Sequence, residues 1–169
     1  LFSDPGPTIS SRDLERFKSI FSRAMSQSKI AVLSGSLPES VPDDIYYQLI
    51  ELAHQKGVLT ILDARGVPFE KGIEAKPLMA KPDLRASDNR VFNKTVESQD
   101  IAIEIAREII QRGAQIAVLN YLQTKDIIAV ADQTWLAEVV NQETFNLIGT
   151  AEGLIAGFAI KLSEEGKEN

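Results

Sequence analysis

The sequence predicts an α/β fold, a three-layer sandwich on a largely parallel sheet, and three observations carry that prediction. Short apolar runs (KIAVL, GVLTIL, AQIAVLN) alternate with longer segments whose apolar residues recur every three or four positions. The runs are continuously apolar, the pattern of a strand covered on both faces in a parallel sheet. Glycines such as Gly35, Gly57, Gly66 and Gly113 stand at the joints, where strand gives way to helix or helix to strand.

Each element follows in order. Pro5, Gly6 and Pro7 mark an opening loop. A helix is expected from Ser11 to about Ser26, with Leu14, Phe17, Phe21 and Ala24 as one buried stripe. Ile30 to Leu33 is a buried strand ending in a glycine turn. The second helix carries Pro42 in its first turn and Asp43 and Asp44 at its positive end. It points Ile45, Leu49 and Leu52 at the sheet and stops at Gly57. Val58 to Leu62 is the next strand, with Asp63 at its carboxyl end. A short helix from Phe69 to Ile73 leads to a weak strand, Leu78 to Ala80. KPDLRASDNRVFNKT, residues 81–95, is too polar for a core element and reads as a loop with an irregular turn. A third helix from Ser98 to Gln111 spaces Ile101, Ile105 and Ile109 four apart, and Gly113 ends it. Residues 114–120 form another buried strand and 127–140 a hairpin arm with its partner. The last helix starts at Gly149 or Thr150 and runs to about Leu162, leaving a solvated tail.

Composition narrows the function classes. A net charge of -6 gives no electrostatic reason to seek nucleic acid or an anionic membrane. With no cysteine, disulfides, thiolate zinc sites and a cysteine nucleophile are excluded. His54 is the single histidine, so no histidine-rich metal site exists, and no metal-ligating set is assigned. No apolar run is long enough to span a bilayer. The start at Leu1 resembles no signal peptide and suggests a chain whose beginning was removed. Cytoplasmic residence is the expectation.

Ligands of open α/β sheets bind beyond the carboxyl ends of the strands. That rule selects Ser34–Pro38, Asp63–Gly66, Lys81–Asp83, residues 120–124 and the turn before the last helix. Every one of these also suits an ordinary joint. In NLIGTAEGLIAGFAIKL, Gly149 and Gly153 flank Thr150, Ala151 and Glu152 ahead of an apolar helix. Backbone N–H groups at such a helix start attract phosphate. A first-turn carboxylate can take the proton of an attacking alcohol, and Glu152 equally serves the helix dipole. Asp63 can bind sugar hydroxyls or a metal, or cap a turn. Trp135 and Tyr121 are candidate adenine neighbours, while Trp135 also fits the hydrophobic edge of the sheet, and Tyr46 and Tyr47 the rim of their helix. No GxxxxGK[ST] phosphate loop is present.

DPGP at Asp4–Pro7, VLSGSLPESVPDDIYYQLIELAHQKGV, ILDARG at Ile61–Gly66 and LIGTAEGLIAGF at Leu147–Phe158 together resemble the PfkB-type carbohydrate kinases of the ribokinase-like superfamily. Their order and spacing are most similar to the 1-phosphofructokinase and tagatose-6-phosphate kinase branch. The resemblance implies a Rossmann-like, ribokinase-type sandwich, here as a partial domain over residues 1–169. It covers the nucleotide-binding half and lacks the N-terminal substrate and lid half. It implies ATP-dependent phosphorylation of a sugar phosphate hydroxyl with ATP and Mg2+, and partners limited to sugar phosphate, ATP, a second copy or the missing half.

Carried over by position, Glu152 is the base. Gly149, Thr150 and Ala151 form the anion hole, Asn120, Leu122 and Lys125 lie on the adenosine loop, and Lys81 and Asp83 lie in the magnesium and phosphate segment. The chain departs from the family pattern at several of these. Glu152 replaces Asp and Ala151 replaces Gly. Asp83 replaces Asn, Ala86 replaces Glu, and Leu122 and Lys125 replace loop glycines. The alternative expectation is therefore a catalytically inactive kinase-like fragment acting as a structural or interaction module.

Overall fold

The computed structural model describes residues 6–84, 90–122, 125–138 and 150–165. Helix α1 (Ser11–Met25) is capped by Ser10, whose hydroxyl accepts from the Asp13 N–H. Strand β1 (Ile30–Ser34), helix α2 (Ile45–His54), strand β2 (Leu59–Ala64), helix α3 (Gly66–Ile73) and strand β3 (Met79–Pro82) then alternate. A small ribbon follows, β4 (Arg90–Val91) with β5 (Lys94–Thr95), and then helix α4 (Gln99–Gln111), capped by Ser98. Strands β6 (Ile116–Leu122), β7 (Lys125–Ala129) and β8 (Thr134–Glu138) and helix α5 (Thr150–Glu165) complete the fold.

Six strands form one sheet in the order β1-β2-β3-β6-β7-β8. The first four pair in parallel, and β7 and β8 add antiparallel. Strand alternation divides the side chains between two faces. Leu33, Leu62, Ala80, Ala117, Leu119, Ile127 and Ala129 face the larger core with Ile45, Leu49 and Ile50 of α2, Phe69 and Ile73 of α3, and Ile105 and Ile109 of α4. Each large aliphatic side chain buried there contributes about 1.5–3 kcal/mol. On the opposite face Ile61, Met79 and Val118 pack with Ile155 of α5. Helices therefore cover both faces, which makes the expected three layers.

Four local expectations are corrected. The stripe of α1 is only half covered: Leu14 and Phe21 pack partly buried against the larger core, while Phe17 is 49% exposed and Met25 is the helix's buried residue. Periodicity identifies an apolar face but not whether a neighbour covers it. The polar stretch 81–95 is not all loop. Lys81 and Pro82 complete β3, and 90–95 form the β4–β5 ribbon, turned by Phe92 and Asn93 at positive φ. The Arg112 guanidinium lies 4.0 Å from the centre of the Phe92 ring, and the Phe92 N–H donates to Glu70. These are long-range contacts that a local pattern cannot register. Strand β6 runs two residues further than expected, through Leu122, so that Leu122 lies in a strand with Asn120. Lys125 opens the next one.

Candidate functional site

The carboxyl ends of the parallel strands carry one polar row. Ser34 pairs in register with Asp63, and Asp63 with Lys81. Further along, Asn120 of β6 pairs with Asp126 of β7. By alternation all five side chains project from the face that α5 covers. They sit one step beyond Val32, Ile61, Met79, Val118 and Ile128. The apolar part of the row anchors α5, and the polar part lies beside it.

Lys81 and Asp63 are each 1% exposed and bond at 3.2 Å. The Ser34 hydroxyl donates to the second Asp63 oxygen at 3.0 Å. Each oxygen of the Asp63 carboxylate thus already accepts one contact from the protein. A buried ion pair survives only when its remaining valences are met, and no buried side-chain N or O among the described residues lacks a partner. Asn120 donates to Asp126. Burial pushes the Asp126 carboxyl above its ordinary range, against the opposing pulls of the Asn120 hydrogen bond and the Lys81 charge. Tyr46, buried in α2, donates its hydroxyl to the Gly35 carbonyl at 2.8 Å. Burial, and secondarily the Asp63 charge, raise its phenol.

The sequence-predicted residues are only partly brought together. Lys81 and Asn120 lie in the row itself. Asp83, half-buried just past β3, extends the ladder by donating its N–H to the Ala64 carbonyl at 2.8 Å. Thr150, Ala151 and Glu152 form the first turn of α5, with Glu152 exposed. Lys125 is not gathered in. It pairs with Glu138 across β7 and β8 at 3.3 Å, serving the outer ladder. Gly149 and Ala86 lie outside the described residues, and so does the Leu122 side chain. Asp126 was missed, and Ser34 was selected as a strand-end residue without its bond to Asp63. Only the register of strands distant in sequence places them beside Lys81. Tyr46 is tied into the site rather than packed as a rim residue, while Tyr47 is 37% exposed.

Beside the row, a cleft of about 450 Å³ opens between the β1–α2 and β2–α3 joints. Gly35 and Gly66 lie on it at positive φ, with no described atom within 4 Å of where a Cβ would stand. A larger concavity of about 760 Å³ lies on α4, away from the strand ends. Its lining charges compensate one another: Lys94 binds Glu104 and Glu108, and Arg112 binds Glu108. It has the character of a solvated helix face.

No protein-family model matches the chain. Over 160 residues it is 26% identical to the 1-phosphofructokinase of Bacillus subtilis, covering 95% of this chain and 52% of that protein. It is 29% identical over 167 residues to a tagatose-6-phosphate kinase of Staphylococcus epidermidis, covering 92% and 51%. Among solved structures, a possible 1-phosphofructokinase from Thermotoga maritima superposes with a TM-score of 0.87 at 25% identity, covering 98% and 52%. The tetrameric inhibited form of phosphofructokinase-2 from Escherichia coli superposes with a TM-score of 0.79 at 23% identity, covering 97% and 54%. The last likeness speaks to the fold alone. The chain therefore spans about half the length of the sugar-phosphate kinases it is similar to. Within that span it has the mostly parallel α/β sandwich of the ribokinase-like kinases.

Proposed function

We propose that this chain is the nucleotide-binding half of a kinase that transfers a phosphoryl group from ATP to a hydroxyl of a sugar phosphate. The observation that carries the reading is the coincidence of the buried Lys81, held by Asp63 and Ser34 at the strand ends, with α5 covering the same face. Similarity to sugar-phosphate kinases over nearly the whole chain supports it.

Each group has a role in the transfer. The Glu152 carboxylate takes the proton of the attacking hydroxyl. The N–H groups of residues 149–151 receive charge on the transferred group as its new O–P bond forms and the bond to ADP breaks. Lys81 offsets polyphosphate charge. No group of three or more carboxylate or imidazole side chains among the described residues forms a metal cage. Mg2+ brought in with the nucleotide would supply further neutralisation of phosphate charge, with Lys81 and Asp83 lying in the segment that would face it.

A second reading, a kinase-like module without turnover, is favoured by one observation. Lys81 stands between two carboxylates, Asp63 on β2 and Asp126 on β7, so its charge is already compensated.

Calorimetric titration with ATP and magnesium, followed by assay against phosphohexoses with the substrate and lid half supplied in trans, separates the two. The kinase reading expects saturable binding, lost in Gly149→Val, and turnover reduced about 100-fold or more in Glu152→Gln. Binding without turnover selects the module. A folded chain that binds no ATP overturns the nucleotide site.

A further inference from the structure

The segment ahead of α1, residues 6–10, takes no part in the sheet, yet it reaches the loop that walls the cleft. The Ile9 N–H donates to the Ser40 hydroxyl oxygen at 2.7 Å, across 31 positions of sequence. A Cβ on Gly6 would stand 3.5 Å from Pro38 Cγ, so the backbone of the segment runs close over that ring. Of these residues only Ile9 is partly sheltered from solvent. The segment ends on Ser10, the cap of α1, and α1 packs on the larger core through Leu14 and Phe21. One end of the segment is therefore anchored.

The loop between β1 and α2 is held differently at its base and at its outer turn. At the base, the Gly35 N–H donates to the Asp63 carbonyl at 3.1 Å, and the Gly35 carbonyl accepts from the Tyr46 hydroxyl. Beyond Gly35, which sits at positive φ, Ser36, Glu39 and Ser40 are exposed. The turn is closed by the Val41 N–H on the Pro38 carbonyl at 2.9 Å. Leu37 and Val41 pack on the core, and Leu37, Pro38 and Glu39 line the cleft. The turn is thus held from inside by two apolar side chains and from outside by residues 6–10. Exposed turns open at small free-energy cost, so a single outside hydrogen bond shifts their opening measurably.

We propose that residues 6–10 form a strap, fastened at Ser40, that holds the 36–41 turn and so sets how far the cleft opens. Ser40 is a positioning residue: it acts on the cleft through Pro38 and Glu39, its neighbours in the turn. The device belongs to the fold and does not depend on what the cleft or α5 binds.

The test is amide hydrogen exchange by NMR on the intact chain. In wild type the Ile9 amide should be protected. Ser40→Ala should speed exchange about fivefold at Ile9 and at Val41, the loss of one neutral hydrogen bond, and leave Gly35 at the loop base unchanged. Ser40→Thr keeps the hydroxyl and should restore both. Nitroxides on Glu39→Cys and Arg65→Cys, in a chain with no cysteine of its own, should report a broader distance across the cleft in Ser40→Ala than in Ser40→Thr. Because Ser40 is exposed, thermal melts of its variants should match wild type. The proposal is overturned if Ile9 is unprotected in wild type, if Ser40→Ala releases Ile9 but leaves Val41 and the cleft distance unchanged, or if Ser40→Thr fails to restore them. A lowered melt with Gly35 released as well would equally overturn it, because the contact would then serve global stability and not the turn.

Discussion

At the scale of single residues, the site is organised by one buried charge. Lys81 and Asp63 are both out of water, so each depends on the other. Lys81→Met leaves the buried Asp63 carboxylate without its cation, and Asp63→Leu leaves the buried Lys81 ammonium without its bonded partner. Either is expected to cost about 3–5 kcal/mol in urea unfolding, with the double variant costing less than the sum of the two. Asp126 works in the opposite direction. Its folded carboxyl titrates above the ordinary value of 3.8, so the native state holds the proton more tightly than the unfolded chain does. Stability then falls as pH rises from that value through the raised one. Asp126→Asn keeps an acceptor for Asn120 and removes the charge. It should match wild type in acid and exceed it above the raised titration, as read from denaturation midpoints across pH.

At the scale of elements, two helical glycines make a paired test. The Cβ of Gly72→Ala in α3 would stand 2.7 Å from Leu62 Cδ2 and 3.2 Å from Tyr46 Cβ, both in the larger core. Overpacking should destabilise the protein by about 1–3 kcal/mol. Gly157 in α5 has no described atom within 4 Å of such a Cβ. There Gly157→Ala should stabilise by up to about 1 kcal/mol through helix propensity. Equal effects of the two substitutions would contradict the packing of α3 against β2. Helix starts were legible wherever a serine capped them, as at Ser10 and Ser98. The β4–β5 ribbon was not. Its turn uses Phe92 and Asn93 instead of glycine, and it is held by Glu70 and Arg112 from other parts of the chain.

At the scale of the molecule, the sheet formed by the described residues ends at β1 and β8, and large apolar side chains stand exposed near both ends. Val32 is 44% exposed, Leu59 40%, Trp135 47% and Leu136 41%. Unpaired edges with apolar surface recruit partners. The chain should therefore self-associate with rising concentration, and Val32→Lys or Trp135→Lys should lower the sedimentation coefficient measured at high concentration. A concentration-independent monomer would mean that these surfaces are tolerated as they stand. No helix among the described residues is long and apolar enough to cross a membrane.

The α/β class, the parallel strands and the order of elements were determined by the sequence alone, because they follow from local periodicity and from glycines placed where the chain must turn. Asp63, Lys81, Asn120 and Glu152 were each legible as chemistry-bearing residues at strand or helix ends. What Asp63 does was decided by the tertiary structure, since its two oxygens are claimed by residues 29 positions before it and 18 after it. The same holds for Lys125, drawn into the β7–β8 ladder, and for Asp126, brought to the Lys81 side of the sheet by strand register. Local pattern records which way a side chain alternates. Only the pairing of distant strands decides which charge meets it there.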